Sequence, residues 1–488
     1  MTARARTYNR WVILVIACLA QFMVVLDSTI VNVALPSIQR GLHFSPASLQ
    51  WVVNGYTLVF GGFLMLGGRA ADLAGRRRLF VAGIVLFSVA SLVNGLAQST
   101  TMLILGRGAQ GLGAALVSPA ALSIIMTTFQ DHGERTKALG VWSGIAAGGA
   151  AFGLLLGGIL TDLLSWHWIF FVNVPVGVIA VALAMRFVPE SRADLGHRSF
   201  DFAGATTITA GLVTLVFGIV KAETWGWGSA RVLGILAAAV VLLIAFVVVE
   251  SRSQAPLIRL NVFRIRTIAT ANTVMLFVMS GMFGMFFFIS LYVQNILGYS
   301  PLRAGFAFLP VTLGIIVGAT LAQSLIKRLG VRNLAIAGIA IATVGLFLLT
   351  GVPVHGSYVS NLLVGLIPLA IGMGLTFVPI TLLATSAVSA DDSGLASGLF
   401  NTSQQVGGSL GLAILATLAA DHSKALIHGL GAGATHVQVV GATLSGYHVA
   451  FIAAAIMMAT AAAILPMFLR RSHVESVELD PAALPAAA

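Results

Sequence analysis
The chain has 488 residues, 58% of them hydrophobic and only 9% charged, with a formal net charge of +11. Soluble domains carry about 25% charged residues, so a water-soluble enzyme or binding module is excluded. One cysteine and ten scattered histidines offer neither a disulfide framework nor metal-ligand spacing, so no metal or other cofactor is expected.

About 20 apolar residues cross a bilayer. The first run, 11–34, follows Arg4, Arg6 and Arg10. It is too long for a signal-peptide core and holds Asp27, so it is read as a retained helix. Further runs stand at 49–68, 79–97, 101–128, 136–162, 168–187, 203–220, 231–249, 268–297, 303–326, 333–352, 359–387, 394–419 and 447–469. That is fourteen predicted spans in an all-α membrane protein. No run alternates as outer-membrane barrel strands do. Residues 421–446, rich in Gly, Ala and His, are expected to form a loop.

An even number of spans puts both termini on one side. Lys and Arg crowd that side, as at Arg76 to Arg78, Arg252 to Arg266 and Lys327 to Arg332. The other side has Arg40, Lys221, Arg231, Arg303 and Lys424. By the positive-inside rule the termini are cytoplasmic. This asymmetry also accounts for the positive charge without a nucleic-acid partner.

An internal repeat is visible. Ser45-Pro46 before the second span matches Ser300-Pro301 before the tenth, and the basic loop from Asp72 matches that from Lys327 at the same separation. The predicted organisation is a six-helix half (11–189), a linker with two inserted spans (190–266), a second six-helix half (267–470) and a disordered tail (471–488). Paired halves around a midplane site are a transporter architecture.

Asp27 is the one acidic residue read as lying well inside a span, and Arg107 lies inside the fourth at a similar depth. Unpaired charge in hydrocarbon costs several kcal/mol, so the two are expected to pair. They form either a static lock or a proton-coupling site, and the second requires the acid to reach an aqueous cleft. The short loop Gly68-Arg69-Ala70-Ala71-Asp72-Leu73-Ala74-Gly75-Arg76-Arg77-Arg78 combines a turn glycine, anchoring arginines and an acid placed to meet a helix terminus or an arginine. On the fifth span Gly149, Gly153, Gly157 and Gly158 form a smooth packing face. Asn32, Gln110, Tyr292, Gln294, Asn401, Gln404 and Gln405 are polar residues for interhelical bonds or a cavity wall. The Gly-x-Gly patterns lie within spans, and no nucleophile–base pair or P-loop is present, so the chain is not read as an enzyme.

These motifs resemble the major facilitator superfamily. The loop with Gly68, Asp72, Gly75, Arg76 and Arg77 looks like its gating signature. Arg107-Gly108-Ala109-Gln110-Gly111 looks like its helix-4 proton-coupling motif. Gly149 to Gly158 looks like its antiporter motif, with Leu154 where a proline is usual. The opening Leu26-Asp27-Ser28-Thr29-Ile30-Val31-Asn32-Val33-Ala34-Leu35-Pro36, with Trp166 to Gly177, Leu291 to Gln294 and Asn401 to Gly408, is similar to the fourteen-helix drug:proton antiporters.

The resemblance implies a major-facilitator fold and proton-coupled export of small amphipathic drugs or antibiotics by alternating access. Import or facilitated diffusion of a metabolite is the alternative. Protons are the implied coupling ion and Asp27 and Arg107 the coupling residues. The implied setting is a bacterial cytoplasmic membrane. The chain is expected to work as a monomer between a small-molecule substrate and the bilayer, with an accessory export partner left open.

Overall fold
The computed structural model describes residues 9–191, 201–253, 256–258, 260–385, 393–431 and 433–469. The tail 471–488 and residues 192–200 of the predicted linker lie outside them. Every described element is helical, as hydrocarbon demands, because a backbone amide there can bond only within its own segment.

The main helices are α1 (Arg10–Leu42), α2 (Trp51–Ala74), α3 (Arg76–Gly95), α4 (Thr100–Thr128), α5 (His132–Leu163), α6 (Asn173–Phe187), α7 (Phe202–Trp225), α8 (Ala230–Arg252), α9 (Arg266–Leu291), α10 (Leu309–Leu329), α11 (Val331–Leu349), α12 (Leu363–Thr385), α13 (Ser393–Leu430) and α14 (His436–Phe468). Among the described residues thirteen helical segments are long and apolar enough to cross a membrane, and α5 carries a shorter apolar stretch, Gly148–Leu163. This is consistent with fourteen crossings.

Polar caps start the helices. Ser99 accepts from the Met102 amide, Asp131 from Glu134, Asp201 from Gly204 and Ser229 from Val232, each satisfying an amide that the helix leaves open. The repeat is visible in the backbone. Ser45 and Ser300 cap short helices that begin at Pro46 and Pro301. Gly75 (φ 111°) and Gly330 (φ 75°) join α2 to α3 and α10 to α11, a conformation that side-chain-bearing residues avoid.

Three sequence expectations need correction. The segment Gly68 to Arg78 is not a loop: α2 runs to Ala74 and α3 starts at Arg76, so only Gly75 lies between them. The first helix does not stop near Ala34. It continues through Pro36 to Leu42, so Asp27 stands near its middle rather than toward one end. Residues 421–446 are not a loop: α13 runs to Leu430 and α14 starts at His436, with a capping box between Thr435 and Gln438. Only the turn around Gly431 (φ 70°) separates them.

Arg10 and Phe468 mark one end of the bundle, the termini end; α1 and α9 finish at the far end. The two halves meet at the far end. Ser290 Oγ donates to the Asn32 carbonyl at 2.5 Å and Gln294 Nε2 to the Val33 carbonyl at 2.8 Å. A Cβ on Gly158 would stand 2.6 Å from the Pro301 carbonyl, and one on Gly305 would stand 2.9 Å from that of Leu154. Toward the termini end of α5, Gly140, Gly144 and Gly148 face open space. The α2–α13 contact persists in between, with Thr57 and Ser409 hydroxyls 2.5 Å apart. The inserted pair packs on itself through Gly211 against Leu243 and Gly218 against Leu236. It joins α2 and α13 through Leu58, Leu212, Val216 and Ala413. The outer side of α8 exposes Val240, Val241, Ile244 and Val247, a surface suited to lipid.

Candidate functional site
Asp27 and Arg107 are both buried, with 0% and 1% exposure. Arg107 Nη1 donates to Asp27 Oδ2 at 2.5 Å. Asp27 Oδ1 accepts from Gln110 Nε2 and from Asn173 Nδ2, each at 2.9 Å. Arg107 also donates to Gln110 Oε1 at 3.0 Å and from Nε to the Val52 carbonyl at 2.9 Å. Its guanidinium carbon lies 4.5 Å from the centre of the Tyr56 ring. Ser91 Oγ accepts from Gln110 (2.6 Å) and Asn173 (3.0 Å), and Asn94 Nδ2 donates to Gln110 Oε1 at 2.5 Å. Side chains from α4 and α6 therefore hold the α1 carboxylate, and side chains from α2 and α3 hold those partners in turn.

The local sequence explains the gathering. Gly106, Gly111 and Gly113 let α4 lie against α3 and α2; a Cβ on Gly111 would meet the Tyr56 carbonyl at 2.3 Å. Arg107 and Gln110, three apart on α4, share a face. The arrangement suits an ionised carboxylate, which receives three donors, and the ion pair is net neutral. A proton added to Asp27 would remove its charge-assisted bond and leave Arg107 seeking another acceptor. Tyr56 OH, Asn94 Oδ1 and Asn173 Oδ1 are buried here without partners, so the network is not a fully satisfied lock.

The water access required of a coupling acid is not present in this conformation. Asp27 has no exposed surface, because Gln110, Asn173 and the arginine stacked on Tyr56 enclose it. Partly exposed neighbours on α1 are Ser28, Thr29 and Asn32.

The glycine face of α5 seats α1. A Cβ on Gly149 would lie 3.3 Å from Val25 Cγ1, one on Gly153 would lie 2.0 Å from Thr29 Oγ1, and one on Gly157 would lie 2.6 Å from the Ile30 carbonyl. Gly158 turns instead to the second half, at Pro301. One α5 face thus touches α1 and its edge touches the other half. With Leu154 in place of proline, α5 stays helical through that position.

At the termini end Gly75 makes the α2–α3 turn, and Gly68 stands 3.5 Å from Pro119 of α4, measured from where its Cβ would be. The Arg76 amide donates to the Ser191 carbonyl at 3.0 Å and the Arg77 amide to Glu190 Oε1 at 3.2 Å. Arg77 and Arg78 side chains approach Glu190 Oε2 at 3.8 and 3.7 Å. The Asp72 side chain lies outside the described residues.

The Major Facilitator Superfamily model matches residues 17–412. The chain belongs to the Major Facilitator Superfamily. It is 41% identical over 475 residues to the puromycin resistance protein pur8 of Streptomyces alboniger, covering 96% of this chain and 93% of that one. It is 38% identical over 467 residues to the cephamycin export protein CmcT of Amycolatopsis lactamdurans, covering 95% and 93%. Among solved structures, a bacterial homolog of the human lysosomal transporter Spinster aligns with a TM-score of 0.66 at 18% identity, covering 98% of this chain and all of that one. The protein is therefore a multi-pass membrane transporter of this superfamily and not an enzyme.

The remaining predicted polar residues divide by placement. Tyr292 is buried and donates to the Pro353 carbonyl at 2.7 Å, and Gln294 is buried in the contact between halves. Gln294 makes an interhelical bond, and Tyr292 bonds to the loop that follows α11. Asn32 donates to its own helix at Ser28 and Thr29, and Asn401 to Ser397. Asn401 is exposed, and Gln404 and Gln405 are half-buried on α13; a Cβ on Gly61 of α2 would meet Gln405 Cβ at 2.7 Å. Sequence reading passed over Ser91, Asn94, Tyr56 and Asn173 as site residues. The signal was available for two of them, since Ser88, Ser91 and Asn94 recur three apart along an apolar span and so share one helix face.

Proposed function
We propose that the protein exports small amphipathic drugs or antibiotics in exchange for protons, by alternating access, from the cytoplasmic membrane of a bacterium. The termini end is the cytoplasmic end. Full-length similarity to resistance and export proteins supports efflux. The buried Asp27–Arg107 pair is the observation that carries proton coupling.

The far end is closed by Asn32, Val33, Ser290, Gln294 and the Gly158–Pro301 contact. Asp27 takes a proton from outside, its bond to Arg107 weakens, and the halves rock to this inward-opening arrangement. Substrate binding and proton release to the inside reverse the change. Asp27, Arg107, Gln110 and Asn173 all belong to one half, so rigid rocking alone does not separate them. Proton exchange requires α1 to shift against α4, and the glycine seam between α1 and α5 is smooth enough for that slide. A potential of 100 mV supplies about 2.3 kcal/mol per charge, enough for roughly fifty-fold accumulation.

The test is a resistance panel in a pump-deficient bacterial strain, with and without a protonophore. Protonophore-sensitive resistance to several amphipathic compounds is expected. Resistance indifferent to the protonophore would exclude proton coupling, and growth on an imported solute with no resistance would exclude export.

A further inference from the structure
A second pair of buried acids lies away from Asp27, where the inserted helices meet the termini end of α2. Asp201 caps α7 and Glu250 sits in the last turn of α8, with 6% and 3% exposure. Each carboxylate has one oxygen satisfied by the backbone: Asp201 Oδ1 accepts from the Gly204 amide at 2.7 Å and Glu250 Oε2 from the Ile258 amide at 3.1 Å. The other oxygens, Asp201 Oδ2 and Glu250 Oε1, are buried without a partner. The two groups face each other across Gly204. A Cβ there would stand 2.6 Å from Glu250 Oε1 and 3.0 Å from Asp201 Oδ1, so those oxygens are within about 6 Å of each other, the range in which like charges strongly disfavour joint ionisation.

Charge around the pair can be followed element by element. From α2, Arg69 is in Coulombic reach of Glu250 and donates to the Pro256 carbonyl at 3.1 Å. The surrounding apolar cluster comprises Leu66 of α2, Ala205 of α7, Phe246 of α8, Leu257 and Ile258 of the following linker, Ile268 of α9 and Leu399 of α13. The α13 turn there, Ser393 to Leu399, has no titratable residue; Arg266 at the start of α9 is exposed. Among the described residues Arg252 and Arg264 are likewise exposed, and the two buried carboxylates against one guanidinium leave one negative charge in excess. Two unpartnered acceptor oxygens in an apolar setting cost several kcal/mol unless something positive sits between them.

We propose that Asp201 and Glu250 bind one proton between them, forming a second proton-binding site distinct from Asp27. The proton converts one carboxylate to a neutral carboxyl and so removes the repulsion between the two. With Arg69 the cluster is then neutral. When the proton leaves, the excess negative charge falls on Arg69, which stands beside Gly68 in α2, shortly before the Gly75 turn. The inserted helices thus report proton occupancy to the α2–α3 turn.

Infrared spectroscopy of the full-length protein in lipid nanodiscs tests this. In an Asp27→Asn background, a protonated-carboxyl band is expected at neutral pH that disappears on alkaline titration. Glu250→Gln and Asp201→Asn should each abolish it. Asparagine is a competent helix cap, so the second variant keeps the fold if the first does not. Absence of the band in the parent, or its survival in both variants, overturns the proposal. Loss of the band on adding sodium or calcium at constant pH also overturns it, because a metal cation would then be the occupant.

Discussion
Replacing Asp27 with asparagine tests the coupling site most directly. The change keeps the shape of the side chain and its acceptor oxygen for Gln110 or Asn173 but removes the charge opposite Arg107. An arginine that is 1% exposed is then left without a counter-ion. Breaking a buried pair from one side costs about 3–5 kcal/mol. The lower end applies here, because Gln110 Oε1, the Val52 carbonyl and the Tyr56 ring still hold the guanidinium. At 1.4 kcal/mol per tenfold, that is a roughly 150-fold loss in the folding equilibrium. In proteoliposomes, substrate accumulation driven by an imposed pH gradient should vanish, while substrate exchange at equal pH persists. The thermal unfolding temperature in detergent should fall. The double variant Asp27→Asn with Arg107→Met separates a coupling role from a lock: removing both charges should restore stability without restoring gradient-driven transport. Gradient-driven accumulation in either variant would refute the reasoning.

Three further outcomes follow from the geometry. Asn173→Leu removes a donor to Asp27 and leaves Ser91 Oγ with one donor fewer; a loss of about 1–3 kcal/mol should appear as a lower unfolding temperature. Gly158→Val forces a side chain against the Pro301 carbonyl, 2.6 Å from where its Cβ would stand. It should hold the far end open, seen as faster labelling of a cysteine introduced at position 302 and a loss of transport. Gln294→Ala removes its bond to the Val33 carbonyl, about 1 kcal/mol, and should raise the same labelling rate only a few-fold. A Gly158→Val rate equal to that of the parent would remove the α5 contact from the closure.

Much of the candidate site could be read from residue type alone. Asp27 and Arg107 stand out because charge in hydrocarbon is too costly to be incidental, and Gln110 follows from its place one turn beyond Arg107. Asn173, Tyr56 and Ser91 were not identified, because an amide or hydroxyl within an apolar helix is cheap enough to be ordinary; only proximity to Asp27 gives them a part. Glu250 was not recognised as buried. It falls just past the apolar run of its span, and whether α8 ends before or after it depends on the Ile258 amide turning back to meet it. The full extent of α1 was not legible, because the apolar run breaks over Pro36 to Arg40 while the helix continues. Pro36 is accommodated inside the helix because the Asn32 carbonyl, which loses the Pro36 amide as a donor, accepts from Ser290 Oγ instead.

The linear chain by itself determined the order of apolar segments, the charge asymmetry between them, the repeat and the pairing of Asp27 with Arg107. These depend on transfer free energy and helix length, which are local properties. The tertiary structure alone decided which polar groups converge on Asp27, that this acid is enclosed in the present conformation, that the halves are joined at the far end, and that Asp201 meets Glu250. Those facts depend on how helices distant in sequence are rotated and set against one another, and no local property of a helix encodes its neighbour's face.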